Sequence, residues 1–546
     1  KRPTEQERGE VEVLVGSHDR YQLATDVSGP VTEDNSLLYR FVALGRDSET
    51  QVVNTKEQRV YVAPALTWKP TDDTTLTMLT HYQRDPEGGY YGILPTVGTV
   101  WSSSAGAIPR SFNDGDPAFS DFDREQFSVG YEFEHVLNDI WAFRHNLRYL
   151  DIDVSTKDIA TLSLAADGHT INRYALTTDE QTRGVASDLQ AQADFATGMI
   201  GHTALFGFDY KYSDSSQYRL YGATAPTIDY LDPVYGVATS ISLSPFVDQD
   251  QTISQSGLYV QDQLDIGNWN FLVGGRYDAV QTVTDNNRTN VRQTQNDDAF
   301  SWKAGAVYNF ENGIAPYVSY ATSYLPVSGT DFNGDAMDPT TAKQYEVGLK
   351  YEPTSFDALF TLAYFDITQE DVVSQINPNQ RYQTGEVQSK GVEFEAKVAL
   401  TSQTNAIANF TFTDAEVTKS VVNDLGDAPI AIPDMTASLW LDHEFDRGLI
   451  NGLTVGGGVR YVGETVGGYS PNAANASARR IDVPGYTLFD AMLRYDLGVL
   501  GNNLENVSAQ LNVTNLADET YATCLANNFC NYGNGRTVYV SLKYAW

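Results

Sequence analysis

The last ten residues, Thr537–Trp546, read TVYVSLKYAW. In an extended chain successive side chains point to opposite sides. Val538, Val540, Leu542, Tyr544 and Trp546 therefore share one face, and Thr537, Tyr539, Ser541, Lys543 and Ala545 the other. The first face is apolar and ends in two aromatics; the second is polar or small. A strand of this kind suits a transmembrane β-barrel, with an apolar belt against lipid and an aromatic rim at the lipid–water interface. The pattern recurs upstream. Phe127, Val129, Tyr131 and Phe133 alternate with Ser128, Gly130 and Glu132, and Val392, Phe394, Ala396 and Val398 with Glu393, Glu395 and Lys397. A helix would scatter these residues around its axis.

Reading the alternation along the chain predicts 22 strands, from Val11–His18 to Thr537–Trp546. The number is even, so both termini lie on one side of the membrane. The connections alternate in length. Lys69–Thr74, Ala196–Gly201, Asp265–Asn268 and Glu311–Gly313 are tight and built from turn residues. Asp85–Arg124, Val154–Arg183, Ser213–Gln255, Leu325–Ala342, Thr368–Lys390 and Ala517–Arg536 are long. Outer-membrane barrels pair short periplasmic turns with long extracellular loops, which places both termini in the periplasm. The expected fold is all-β: a 22-stranded antiparallel transmembrane barrel forming one domain over residues 1–546. A soluble propeller would need a repeated blade motif, and none is present. Barrels of this width are plugged transporters rather than porins, although fold alone does not fix function.

Composition agrees. The formal charge is −35, with 71 acidic against 36 basic residues, which argues against nucleic-acid binding. Mean hydropathy is −0.34 and no run of about 18 apolar residues occurs, so there is no membrane-spanning helix. Tyr (33) and Phe (24) are abundant enough for aromatic girdles. Lys1 follows neither an initiator Met nor an apolar targeting segment, as expected of a processed chain.

Several segments resemble TonB-dependent outer-membrane siderophore receptors of the ferric-hydroxamate (ferrichrome-type) branch. Lys1–Thr4 (KRPT) is similar to that family's plug–barrel junction, and Leu66–Val100 to its second periplasmic turn and third outer loop. YVQDQ (Tyr259–Gln263), GGRYD (Gly274–Asp278), KQYEVGLKY (Lys343–Tyr351), KGVEFEAK (Lys390–Lys397) and NVTNLADETY (Asn512–Tyr521) follow in family order. The resemblance implies a bacterial outer-membrane receptor for a ferric siderophore, with no catalytic role and no intrinsic cofactor. It also implies a monomer set in outer-membrane lipid and lipopolysaccharide and energised by the TonB–ExbB–ExbD complex. That coupling runs through an N-terminal plug and a short coupling box, for which the strand at Val11 leaves no room in this chain; the barrel portion without its plug is expected.

The resemblance also implies ligand contacts. Tyr91, in GYYG, matches a contact in the third outer loop, and Ile93 stands where ferrichrome receptors tend to have Trp. Tyr320 and Val318 match a contact pair at the top of the thirteenth strand, Tyr230 a weaker one in the fifth loop, and Leu525 a position where an aromatic is expected. The aliphatic residues at three of these sites point to a hydroxamate other than ferrichrome. In a chain that is 12% aromatic, any single loop Tyr is more often packing than ligand contact. The motif match tips Tyr91 and Tyr320 towards ligand, whereas packing is the better reading of Tyr230.

Cys524 and Cys530, six apart in the last outer loop, suit a disulfide in an oxidising compartment. Metal binding is the alternative, but no His or second Cys pair lies nearby and zinc wants four ligands. The histidines show no metal-ligand spacing, and no metal site is expected. Asp248 and Asp250 could bind Ca²⁺ or bridge cations to lipopolysaccharide, though a solvated acidic loop accounts for them as well. No nucleophile elbow, P-loop or HExxH helix is present, so an outer-membrane enzyme is disfavoured. The remaining alternative is a plugless barrel acting as a passive outer-membrane pore.

Overall fold

A computed structural model describes residues 1–546 except 239, 330–335, 378–379, 421–423, 471–478 and 527–528. Among the described residues, 22 antiparallel strands form one sheet. In chain order they begin Arg8–Gly16, Arg20–Pro30, Leu37–Glu49, Lys56–Thr71, Thr74–Gly88 and Asp121–Val136. Trp141–Leu164, Thr170–Thr197, Ile200–Asp229, Ser244–Ile266, Trp269–Asn286, Val291–Tyr308, Ile314–Leu325 and Thr340–Tyr351 follow. The remainder are Ala358–Asn377, Gln380–Thr401, Thr404–Lys419, Met435–Phe445, Leu453–Val462, Tyr486–Asp496, Val507–Thr514 and Thr537–Ala545. The last strand pairs with the first, from Glu10↔Ala545 to Gly16↔Tyr539, and closes the barrel. Closure removes the unpaired edge that hydrocarbon would not tolerate.

The residue alternation sets which face meets lipid. Val13, Val15, Tyr21, Leu23, Phe41, Met78, Phe127, Leu258, Val273, Leu439, Val540, Leu542 and Tyr544 are exposed on the outer wall. The opposite parity carries the charges. Arg40 holds Asp26 at 2.8 Å inside the barrel, with Lys1 Nζ on the same carboxylate at 2.7 Å. Arg2 crosses to Glu132 at 2.6 Å, so the first residues run along the inner wall. Outward apolar and inward polar residues are what a barrel wall with lipid on one side only requires.

Each of the 22 strands coincides with an alternating segment of the sequence, but three expected long loops are mostly strand. Trp141–Leu164 and Thr170–Thr197 stay paired from Trp141↔Ala193 up to Leu164↔Ile171. Ile200–Asp229 is 30 residues long and Ser244–Ile266 is 23. Ala358–Asn377 and Gln380–Thr401 continue likewise through the region expected as loop Thr368–Lys390. A tilted strand crosses the membrane in about 9–11 residues, so these hairpins stand well above it. Beyond the bilayer neither face need be apolar, and the hydropathy alternation fades although the ladder does not.

Candidate functional site at the outer mouth

The outer loops pack into a small core of their own. Leu94, Ile108 and Phe112 of the segment after Thr74–Gly88 meet Ile171, Ile228 and Tyr230 from the two tall hairpins. Leu94–Pro95 also adds to a three-stranded sheet with Phe529–Tyr532, itself paired to Ala522–Ala526. Polar anchors hold the core together. The carboxylate of Asp114, 0% exposed, accepts from the Tyr90 hydroxyl (2.6 Å), from Thr161 N (2.8 Å) and Oγ1 (2.9 Å), and from Ile93 N (3.3 Å). Arg173, also buried, donates through Nη1 to the carbonyls of Asp114 and Gly115 and through Nε to that of Pro226. Ile93 is thus a half-buried part of this anchor, held by its backbone.

Tyr91 is the sequence-predicted residue that this framework presents to the lumen. It is 57% exposed and stacks on Phe122, with ring centroids 5.1 Å apart. Phe122 has the inward parity of Arg124 and Ser128 on its strand. Below the pair lies a group of charges that the sequence reading did not single out. Asp85, almost fully buried, accepts from Arg59 Nε at 2.7 Å and from Arg124 Nε at 3.0 Å. Glu57 pairs with Arg46 at 2.5 Å and Arg20 at 3.4 Å. Strand parity, counted from the lipid-facing Val60, Met78 and Phe127, would have found them.

Three expected contacts lie elsewhere. Val318 is 54% exposed and pairs with Ala306 and Val347, while Tyr320 pairs with Ala304 and Tyr345. These residues share the parity of Val273, Phe300 and Val347 on the outer wall. Tyr320 there packs between Trp302 and Tyr345, with ring centroids 4.7 Å from each. The pair therefore faces lipid, because the lumen side of this strand belongs to Tyr317, Ser319 and Ala321. Tyr230 is 1% exposed, and its hydroxyl donates to the carbonyls of Gly106 (3.0 Å) and Gly168 (2.8 Å). It is loop packing and reaches no ligand space. The side chain of Leu525 lies outside the described residues.

Cys524 and Cys530 form a disulfide and sit buried with Ile481 and Val483. Closing so short a loop is worth about 2 kcal/mol by chain entropy. Replacing both by Ser is expected to expose 516–536 to limited proteolysis while leaving the barrel's thermal midpoint unchanged. Asp248 and Asp250 both accept from Asn287 Nδ2 at 3.0 Å. Among the described residues no group of three or more His, Cys, Asp or Glu could hold a metal ion.

Comparison with known proteins gives a consistent picture. The family model described as TonB dependent receptor-like, beta-barrel matches residues 67–516. The ferrioxamine B receptor of Salmonella typhimurium (strain SL1344) is 34% identical over 548 residues, covering 100% of this chain and 76% of that protein. The ferrichrome outer membrane transporter/phage receptor of Escherichia coli (strain K12) is also 34% identical, covering 98% of this chain and 74% of its own length. The crystal structure of the ferric-catecholate import receptor Fiu from E. coli K12 superposes with a TM-score of 0.87 at 20% identity. That alignment covers 100% of this chain and 82% of the other, and it supports the fold.

Proposed function

Because the chain belongs to the TonB-dependent siderophore-receptor family of outer-membrane β-barrels, we propose that it takes up ferric hydroxamate siderophores, with residues 1–546 as one barrel domain. Energised release would run through TonB acting on a plug. The observation that carries the reading is Tyr91 stacked on Phe122 at the outer mouth, in a GYYG loop whose backbone is clamped by Asp114. A ferric hydroxamate is compact and largely apolar outside its iron shell, and an exposed aromatic shelf with polar neighbours suits it. Relatives named for ferrioxamine and ferrichrome support the same ligand class. Ile93 and Leu525 remain proposed neighbours of the ligand; Tyr230, Val318 and Tyr320 do not.

The test is iron-limited growth of a receptor-deficient strain carrying the native full-length gene, fed ferrioxamine B, ferrichrome or a ferric catecholate. Rescue by hydroxamates alone is expected. Tyr91→Ala should weaken ligand binding about tenfold, the usual loss for a central aromatic contact. Tyr320→Ala, on the lipid face, should leave binding unchanged. Rescue by no hydroxamate would overturn the reading.

A further inference from the structure

Tyr90 and Tyr91 are neighbours in the chain, yet their side chains part. The Tyr90 hydroxyl donates to Asp114 at 2.6 Å in the loop core, and Ile93 N donates to the same carboxylate at 3.3 Å. Tyr91 lies between these two anchors, so the chain is held on either side of it. What they leave free is the rotation of its own side chain. Phe122 removes that freedom: the two rings stack with centroids 5.1 Å apart and planes 11° from parallel. One face of the Tyr91 ring is thereby covered, and contact with a ligand falls to the other.

The room for this stack is made by Gly88. A Cβ added there would sit 2.7 Å from Phe122 Cε1, 2.8 Å from Phe122 Cδ1 and 2.7 Å from the Tyr91 hydroxyl oxygen. Both rings therefore lie over a position that has no side chain, although its backbone conformation is one that any residue adopts. The positions beneath the stack are fixed by the barrel and not by the loop. Gly88 is paired with Glu57, and Gly89 N donates to the Lys56 carbonyl at 2.7 Å. Phe122 is paired with Thr156 on its far side. Between the two the ladder has already ended, at Asp85↔Arg124, and Pro86 has no N–H with which to continue it. Past that point the Phe122 ring reaches across to Gly88.

We propose that Phe122 and Gly88 are positioning residues of the siderophore site. Phe122 acts on the ligand only through Tyr91, by holding its ring in the orientation that binding uses, and Gly88 keeps open the space in which the stack forms. This rests on the siderophore reading of Tyr91 and deepens it. Two stacked aromatic rings attract each other beyond the area they bury, which supplies the hold. A ring already held need not be ordered by the ligand, and binding is spared that entropic cost.

The test is the affinity of the purified full-length receptor for ferrioxamine B and for ferrichrome, read by titration calorimetry. Phe122→Ala is expected to weaken the tighter of the two about fivefold, the worth of one side chain ordered in advance. Phe122→Tyr, which keeps a ring, should restore it. Gly88→Ala should cause a similar loss with Tyr91 still present, because the methyl pushes both rings aside. These two variants reach the stack from opposite sides, so misfolding of one leaves the other as the test. The deciding measurements add Tyr91→Ala. In that background neither Phe122→Ala nor Gly88→Ala should cost anything more, since the ring they position is gone. A further loss of about fivefold there would make Phe122 a contact in its own right, or the change a general damage to the mouth, and overturns the positioning role. Unchanged affinity in both single variants overturns it as well and leaves the hydroxamate reading standing. If the unsubstituted receptor binds neither ferrioxamine B nor ferrichrome, the hydroxamate reading falls and the assignment falls with it.

Discussion

Replacing Arg276 by Met is expected to lower the barrel's unfolding free energy by about 3–5 kcal/mol, the usual cost of leaving buried charges without their partner. Arg276 lies between Asp209 and Asp278 on the inner wall, and the side chain of Asp278 is 1% exposed. Gln255 Nε2, at 2.9 Å, would be the main remaining donor to Asp278. Asp209 Oδ1 already has no partner among the described residues. The guanidinium also lies 5.5 Å from the centre of the Tyr259 ring, whose hydroxyl caps Asp188. Removing it therefore loosens a network that crosses four strands. Urea unfolding in detergent or lipid should show an earlier midpoint with an unchanged slope. The triple variant Arg276→Met/Asp209→Asn/Asp278→Asn should recover most of the loss, because the stranded charges go with it. A single-variant loss below about 1 kcal/mol would mean that lumen water solvates these carboxylates well enough to replace the arginine.

The same network gives a physical content to two segments of the sequence. In GGRYD, Arg276 and Asp278 point inward and Tyr277 outward, and Gly275 shares the outer parity of Tyr277. In YVQDQ, Tyr259 reaches across Gly207, where an added Cβ would come within 2.0 Å of the ring. Arg276 lies over Gly257 in the same manner, 2.0 Å from where a Cβ would sit. At these positions an added Cβ would push a luminal side chain aside, while the backbone conformation is one that any residue adopts. Gly207→Ala or Gly257→Ala should therefore displace the network without disturbing the strand.

How far the sequence could be read follows from what each residue must satisfy. Inside the membrane a strand has to be apolar outside and polar inside, so every spanning segment was legible from its alternation. The tall hairpins were not, since above the bilayer both faces may be polar and turn-like composition no longer means a turn. Tyr91 was singled out by its motif, and the structure leaves its ring exposed on Phe122. Tyr320 was misassigned because a girdle aromatic and a ligand aromatic look alike in isolation. The signal was present, however: in Tyr317–Ala321 the parity of Val318 and Tyr320 is the more apolar, and that parity faces lipid. Asp85 and its arginines escaped because they meet only across strands far apart in sequence. Asp114 escaped for a related reason, since nothing local marks an aspartate whose partners are Tyr90 and Thr161.

Lowering the pH from about 8 to about 5 is expected to tighten the outer-loop core, and the sign follows from the carboxyls that build it. Asp158 stands on the extramembrane part of its hairpin, with Asp114 beside it and the Ser120 hydroxyl and Ile159 amide as its own partners. Burial, followed by the Asp114 charge, pushes it from 3.8 up to about 7. Burial also raises Asp114 itself, against the pull of Tyr90 and Thr161, and holds the Tyr90 phenol well above its ordinary value. Tyr174 faces the same pair, and Arg173 donates its hydrogen bonds to backbone carbonyls rather than to either carboxylate. When the loop opens, Asp158 returns to its ordinary value. Below that value both states are protonated and pH has no effect. Between it and about 7 the open state sheds its proton while the closed state keeps it, so closure weakens by roughly 1.4 kcal/mol for each pH unit. Above about 7 both are ionised and the dependence flattens. Amide exchange corrected for its intrinsic pH dependence should therefore show greater protection in 89–120 and 158–162 near pH 5 than near pH 8, with the barrel strands unmoved. Asp158→Asn, which cannot ionise, should hold the loops at the tight level throughout. Protection that rises with pH would overturn the assignment, and a slope that survives in Asp158→Asn would move the titrating group to Asp114 or elsewhere.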